Sequence, residues 1–214
     1  MISLEDMTSL FKLISAYLKK DIKCYAFGGN AMMYYGYKGA TKDVDIIFED
    51  ERSKSEFVSA LKELGYSKTS LVTIYSEKHQ KDKNKPEIYT KGDERFYIFV
   101  RNIFLTKLSK AMTERTYGRF DFIMKENTLS VMVLSKEDII LLKSVTNREK
   151  DFDDILNIIE KENNINWGLI VDEAIWQGNH GDKRIILDLE ETMQRLKEKI
   201  LIKKELFDRL SKSI

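Results

Sequence analysis

The sequence predicts an α+β protein: a mixed sheet flanked by helices, followed by an all-helical C-terminal region. Three observations predict it. Apolar, β-branched and aromatic runs at 23–27, 43–48, 96–105, 119–125 and 129–134 read as strands. Between them lie segments with apolar residues three and four apart, the period of an amphipathic helix. From Trp167 onward the pattern is helical throughout.

The elements follow in order. Residues 3–19 place Leu4, Met7, Leu10, Phe11, Ile14 and Leu18 on one helical face, behind Ser3 with Asp6 three residues later, a capping pair. Residues 23–27 are a first strand. A helix over 30–35 ends at Gly36. Residues 43–48 are the second strand, and 53–64 a helix closed by Gly65. Residues 71–75 are strand-like. Residues 76–94, rich in Lys, Asp and Asn and holding Pro86, read as a long loop or a hairpin. A strong strand over 96–105 and a short helix over 108–115 come next. Residues 119–125 and 129–134 form a hairpin around Glu126 and Asn127. Ser135 with Asp138 caps a helix to 143, and 151–160 continues helically. Ile186, Leu189, Met193, Leu196, Ile200, Lys203, Phe207 and Leu210 then form a heptad seam with one polar member. Two packings fit it: a long helix folded on its own domain, or a homodimer through that helix. The expected domains are 1–160 and a helical extension, 161–214.

Composition bounds the function. The 214 residues carry 36 Lys and Arg against 35 Asp and Glu, so no global field draws the chain to nucleic acid or membrane. Hydrophobic content of 43% with 33% charged residues describes a folded domain, not a disordered one. A single cysteine, Cys24, cannot form an internal disulfide, which fits a reducing, cytoplasmic setting. No apolar run approaches a membrane span, and Glu5 and Asp6 stand where a secretory leader would be basic and apolar. Cys24, His79 and His180 lack zinc-ligand spacing.

The most informative stretch is Phe27-Gly28-Gly29-Asn30 followed by Asp43-Val44-Asp45-Ile46. Glycines let backbone N–H groups approach a phosphate closely at a helix start. Asp43 and Asp45, two apart on a strand, point to the same face. Carboxylates held roughly 6–7 Å apart repel by about 2–3 kcal/mol at an effective dielectric near 20. A divalent cation relieves that, and Mg²⁺ prefers one or two carboxylates plus substrate phosphates. Each half alone is weak: glycine pairs mostly make turns, and alternating acids mostly line a solvent face. Here Val44, Ile46 and Ile47 make the strand apolar enough to be buried, where acids need partners. A sugar-nucleotide transferase using Asp-x-Asp for Mn²⁺ is disfavoured, because no complete doubly wound domain precedes the motif.

This pattern resembles the nucleotidyltransferase superfamily of the DNA polymerase β type. The longer string, with Gly28-Gly29-Asn30-Ala31, Gly36-Tyr37-Lys38 and Thr41-Lys42-Asp43-Val44-Asp45, is similar to minimal prokaryotic members, among them abortive-infection nucleotidyl transferase toxins. Lys38 stands where these relatives usually carry Arg, keeping the charge without the bidentate fork. A second block, Lys143 on a helix and then Arg148, Asp151 and Asp154, matches a Lys and Arg-x-x-Asp-x-x-Asp run. The resemblance covers about residues 22–160.

The resemblance implies a nucleotidyltransferase-like sheet and a set of roles. Asp43 and Asp45 would hold Mg²⁺ against an NTP, while Gly28, Gly29, Asn30 and Lys38 contact its phosphates. Lys143 would neutralise phosphate charge, its bland alternative being a surface lysine. Asp151 and Asp154 are as readily ordinary helix salt bridges. The implied reaction moves a nucleoside monophosphate to a hydroxyl of a protein, an RNA or a small molecule, in a toxin–antitoxin or phage-defence setting with an antitoxin partner. The alternative is a catalytically degenerate member that binds nucleotide, RNA or protein. A third carboxylate decides between them. Arg95-Phe96-Tyr97-Ile98-Phe99 matches the relatives' Arg-Phe-Asp strand with Tyr97 in place of Asp, whereas Arg119-Phe120-Asp121-Phe122 carries a literal acid. Asp121 rescues the site only if it lies within shared-metal distance of Asp43 and Asp45.

Overall fold

The computed structural model describes residues 1–70, 84–146 and 148–214. In chain order these form β1 (Ile2–Ser3), α1 (Leu4–Ser15), β2 (Ile22–Phe27), α2 (Gly28–Tyr34), β3 (Ala40–Thr41), β4 (Asp43–Phe48), α3 (Glu51–Glu63) and β5 (Ser67–Thr69). Then come β6 (Glu87–Lys91), β7 (Glu94–Val100), β8 (Asn102–Ile103), β9 (Thr106–Lys107), α4 (Lys110–Glu114), β10 (Gly118–Ile123) and β11 (Thr128–Val133). The C-terminal helices are α5 (Lys136–Thr146), α6 (Glu149–Lys161), α7 (Trp167–His180), α8 (Arg184–Leu196) and α9 (Lys204–Ser211). The α+β class is therefore the one the sequence predicts.

The chain divides into two compact units, 1–104 with 108–134, and 105–107 with 135–214. The expected boundary is residue 160; the chain divides at 134, and α5 joins the C-terminal unit by packing on α6, α7 and α8. In the first unit, among the described residues, the strands run in the order β10-β11-β2-β4-β7-β6-β5. Pairing is mixed: β11 is parallel to β2 and β4 to β7, while β2 and β4 are antiparallel. β6 and β7 form a hairpin, so part of the span expected as loop or hairpin is hairpin. The strand expected over 71–75 lies outside the described residues.

Local chemistry explains the ends of the helices. Ser3 caps α1, its hydroxyl accepting from Asp6 N–H while the Asp6 carboxylate accepts from Ser3 N–H. Asp50 caps α3 by accepting from the N–H groups of Arg52 and Ser53. In β4, Val44, Ile46, Ile47 and Phe48 are fully buried, and only Asp43 and Asp45 are partly open. The strand is therefore core along most of its length and polar only at its start.

In the second unit Ser135 caps α5 as expected, its hydroxyl accepting from Asp138 N–H. The seam residues do not form one long helix. α8 ends at Leu196 and α9 begins at Lys204. Ile186, Leu189, Met193, Leu196 and Leu210 have no exposed surface. The apolar stripe packs against α5, α7 and α9 within the second unit.

Candidate nucleotide site

Three strand ends and one turn build the site. Phe27, the last residue of β2, is in register with Asp45 of β4, so the turn into α2 begins beside that aspartate. Gly28 has φ +62°, a left-handed conformation that a side chain disfavours, and a Cβ there would overlap the Asp45 carboxylate. A Cβ on Gly29 would lie 2.8 Å from Thr41 Oγ1. Both glycines are therefore approached closely by side chains, and Gly28 also takes the left-handed conformation. Thr41 in turn donates to the carbonyl of Asp43 at 3.1 Å and shapes the entry to β4.

Asn30 is fully buried. Its Oδ1 accepts from the backbone N–H of Asp45 at 3.0 Å, tying α2 to β4. Its Nδ2 is buried without a hydrogen-bond partner among the described residues, as is Asp43 Oδ1. Buried polar atoms are normally satisfied, and these two lie on α2 and β4, which Asn30 ties together through Asp45. The sequence left the Asn30 side chain without a role; its geometry gives it one. Phe27, at the N-cap of α2, supplies no side-chain hydrogen bond to the first turn.

The neighbouring strand settles what opposes the acids. β4 and β7 are parallel, with Asp43 facing Arg95 and Asp45 facing Tyr97. Arg95 Nε lies 3.8 Å from Asp43 Oδ1, and both side chains are about one-third exposed. Arg95 also stands two residues before Tyr97 on β7, and its charge acts on the Tyr97 phenol. Burial, and after it the charge of Asp43, raises the Tyr97 phenol above its ordinary value, although Arg95 pulls the other way. The phenol is neutral at physiological pH. Arg95 was visible in the sequence as the residue two before Tyr97, but only the register shows that it meets Asp43.

Asp121 is not brought to this site. Two strands, β11 and β2, separate its strand from β4. Asp121 pairs with Ser130 and Ser130 with Lys23, and Lys23 makes an ion pair with Glu49 at 2.7 Å. Asp121 therefore sits at the level of Glu49, past the far end of β4. Strand spacing and rise put it roughly 15–20 Å from Asp45. Its carboxylate instead accepts from Arg119 Nε at 2.8 Å and Ser130 Oγ at 2.7 Å, so the expectation of a shared-metal position is corrected.

Lys38 lies half-buried in the turn between α2 and β3. Lys143 belongs to the second unit. It is no surface lysine: Nζ is buried between Asp151 Oδ1 at 3.0 Å and Asp154 Oδ2 at 2.7 Å. Asp151 Oδ2 also accepts from Arg148 Nε at 2.6 Å and Thr146 Oγ1 at 2.5 Å. This block, matched in the sequence to a functional motif, is a closed ion cluster that clasps α5 to α6.

Among the described residues no group of three or more His, Cys, Asp or Glu side chains converges to hold a metal. Asp43 and Asp45 share one face of β4, with an arginine beside Asp43. That set fits a single hard cation arriving with phosphate oxygens, and does not fit a two-ion, three-carboxylate site. No helix among the described residues is long and apolar enough to cross a membrane. No protein-family model matches the chain, and no curated protein matches it significantly.

Proposed function

We propose that the first unit is a degenerate nucleotidyltransferase fold that binds a nucleoside triphosphate as its Mg²⁺ complex and works as a nucleotide-binding module. The observation that carries this is the pairing of Tyr97 with Asp45, where a third carboxylate would be needed. A neutral phenol is a poor Mg²⁺ ligand and a weak base. The acceptor hydroxyl of a transfer reaction would lack a base here. Binding needs less: Asp43 and Asp45 to hold the cation, the 28–30 turn to admit phosphate, and the buried Asn30 Nδ2 to donate to an anion. Bound Mg²⁺ would neutralise phosphate charge. The chain's own residues orient the triphosphate and keep Asp45 against the turn through Asn30.

The second reading is a working transferase that moves a nucleoside monophosphate to a hydroxyl of a protein or RNA, with an antitoxin as regulator. The close fit of Gly28 around the Asp45 carboxylate favours it, since that half of the site keeps its geometry.

Titration calorimetry with each of the four NTPs, with and without Mg²⁺, tests the proposal. Wild type should bind at least one NTP in a Mg²⁺-dependent way. The double variant Asp43→Asn, Asp45→Asn should lose that binding while melting no lower than wild type, because like-charge repulsion is relieved. Equal affinity in both proteins would remove the site assignment. Mg²⁺-dependent transfer of label from an α-³²P NTP to a component of a cell extract, abolished by the same double variant, would favour the transferase.

A further inference from the structure

The charge balance of the site is unusual for one that handles phosphate and metal. Two carboxylates stand on β4, and the positions facing them on β7 carry a guanidinium and a phenol. Arg95 is not an incidental surface charge. It lies beside the Asp43 carboxylate of the neighbouring strand and two residues before Tyr97 on its own. Yet the ion pair is loose at 3.8 Å, and Asp43 Oδ1 takes no hydrogen bond among the described residues. A guanidinium has five N–H donors in a planar fork suited to phosphate oxygens, and a loose pairing with Asp43 uses only part of that capacity. On β4, Asp45 N–H is bound by Asn30 Oδ1, and the buried Asn30 Nδ2 has no hydrogen-bond partner among the described residues.

We propose that Arg95 is the resident cation of this site, standing in the charge position of a second divalent ion, so that a nucleoside triphosphate is held by one Mg²⁺ together with one guanidinium. The inference rests on the nucleotide-binding reading and deepens it. Two consequences of opposite sign follow. Arg95 repels a bare divalent cation from Asp43 and Asp45, which it already partly neutralises. It attracts the triphosphate, whose oxygens its fork can engage.

Arg95→Gln separates the two. Mn²⁺ alone, without nucleotide, is titrated by the loss of its free-ion electron paramagnetic resonance signal. The NTP that wild type binds best is titrated by calorimetry at saturating Mg²⁺. Mn²⁺ should bind Arg95→Gln several-fold more tightly than wild type. The NTP should bind it about tenfold or more weakly, the scale of one lost charge-assisted hydrogen bond. Arg95→Lys keeps the charge and loses the fork, so its Mn²⁺ affinity should stay near wild type while its NTP affinity falls between the other two. Affinities that fall together in Arg95→Gln, or an unchanged NTP affinity, would overturn the role of Arg95 and leave the binding site in place. A wild-type protein that binds no NTP would overturn both.

Discussion

The protein contains two clusters built from the same materials, aspartates beside basic side chains, and they are finished to different degrees. In the helical unit, Lys143, Asp151, Asp154, Arg148 and Thr146 close on one another with distances of 2.5–3.0 Å. In the sheet unit, Asp43 and Arg95 approach only to 3.8 Å, and Asp43 Oδ1 and Asn30 Nδ2 are buried without hydrogen bonds among the described residues. A saturated buried network spends its charges on itself and fixes one packing. An unsaturated one has capacity left for a ligand. Sequence motifs do not distinguish the two, because both blocks set aspartates beside basic residues at motif-like spacing; completeness of hydrogen bonding does.

The largest expected effect breaks the finished cluster. Lys143→Met removes the cation between two buried carboxylates. Removing one partner of a buried ion pair costs about 3–5 kcal/mol, since an uncompensated charge remains. Chemical denaturation should show a drop of that order. A drop below about 1 kcal/mol would mean that water reaches the cluster and that the contrast with the sheet site is false.

Acid should open the same cluster without mutation. Burial opposes charge on Asp151, but Lys143, and the hydrogen bond and charge of Arg148, outweigh it, holding the carboxyl down to about 2. Its unfolded value is near 3.9. A depressed folded value means that the stabilisation is complete above about pH 4 and is lost as pH falls from there towards 2. Melting temperature against pH should therefore fall in that window, and Asp151→Asn should flatten the fall. A profile as steep in Asp151→Asn as in wild type would assign the acid sensitivity elsewhere.

These contrasts also show what the sequence could tell. Strand β4 and the capping pairs at Ser3 and Ser135 were legible, because periodicity and caps are local signals. The Gly28 requirement was legible as a motif, and its cause, the Asp45 carboxylate against the turn, was not. The choice between Tyr97 and Asp121 turned on strand order and register, which no local pattern encodes. The boundary at residue 134 and the break between α8 and α9 depend on which helices cover one apolar stripe. A repeat of three and four fits either a seam or a core, so the sequence could not choose.

The smallest expected effect on stability sharpens the other side of the comparison. In Gly28→Ala the new Cβ meets the Asp45 carboxylate and forces a left-handed backbone on alanine. Strain of this kind costs about 1–3 kcal/mol, and rotation of the partly exposed Asp45 side chain can relieve the contact. The fold should therefore survive with a modest loss in melting temperature. The site should not, because that rotation moves one of the two carboxylates away from the turn that receives phosphate. NTP binding at saturating Mg²⁺ should then fall by a larger factor than stability does, the reverse of Lys143→Met, where stability falls first. If Gly28→Ala binds NTP as wild type does, the closeness of Gly28 to Asp45 is a packing detail, and the open cluster is not held open for a nucleotide.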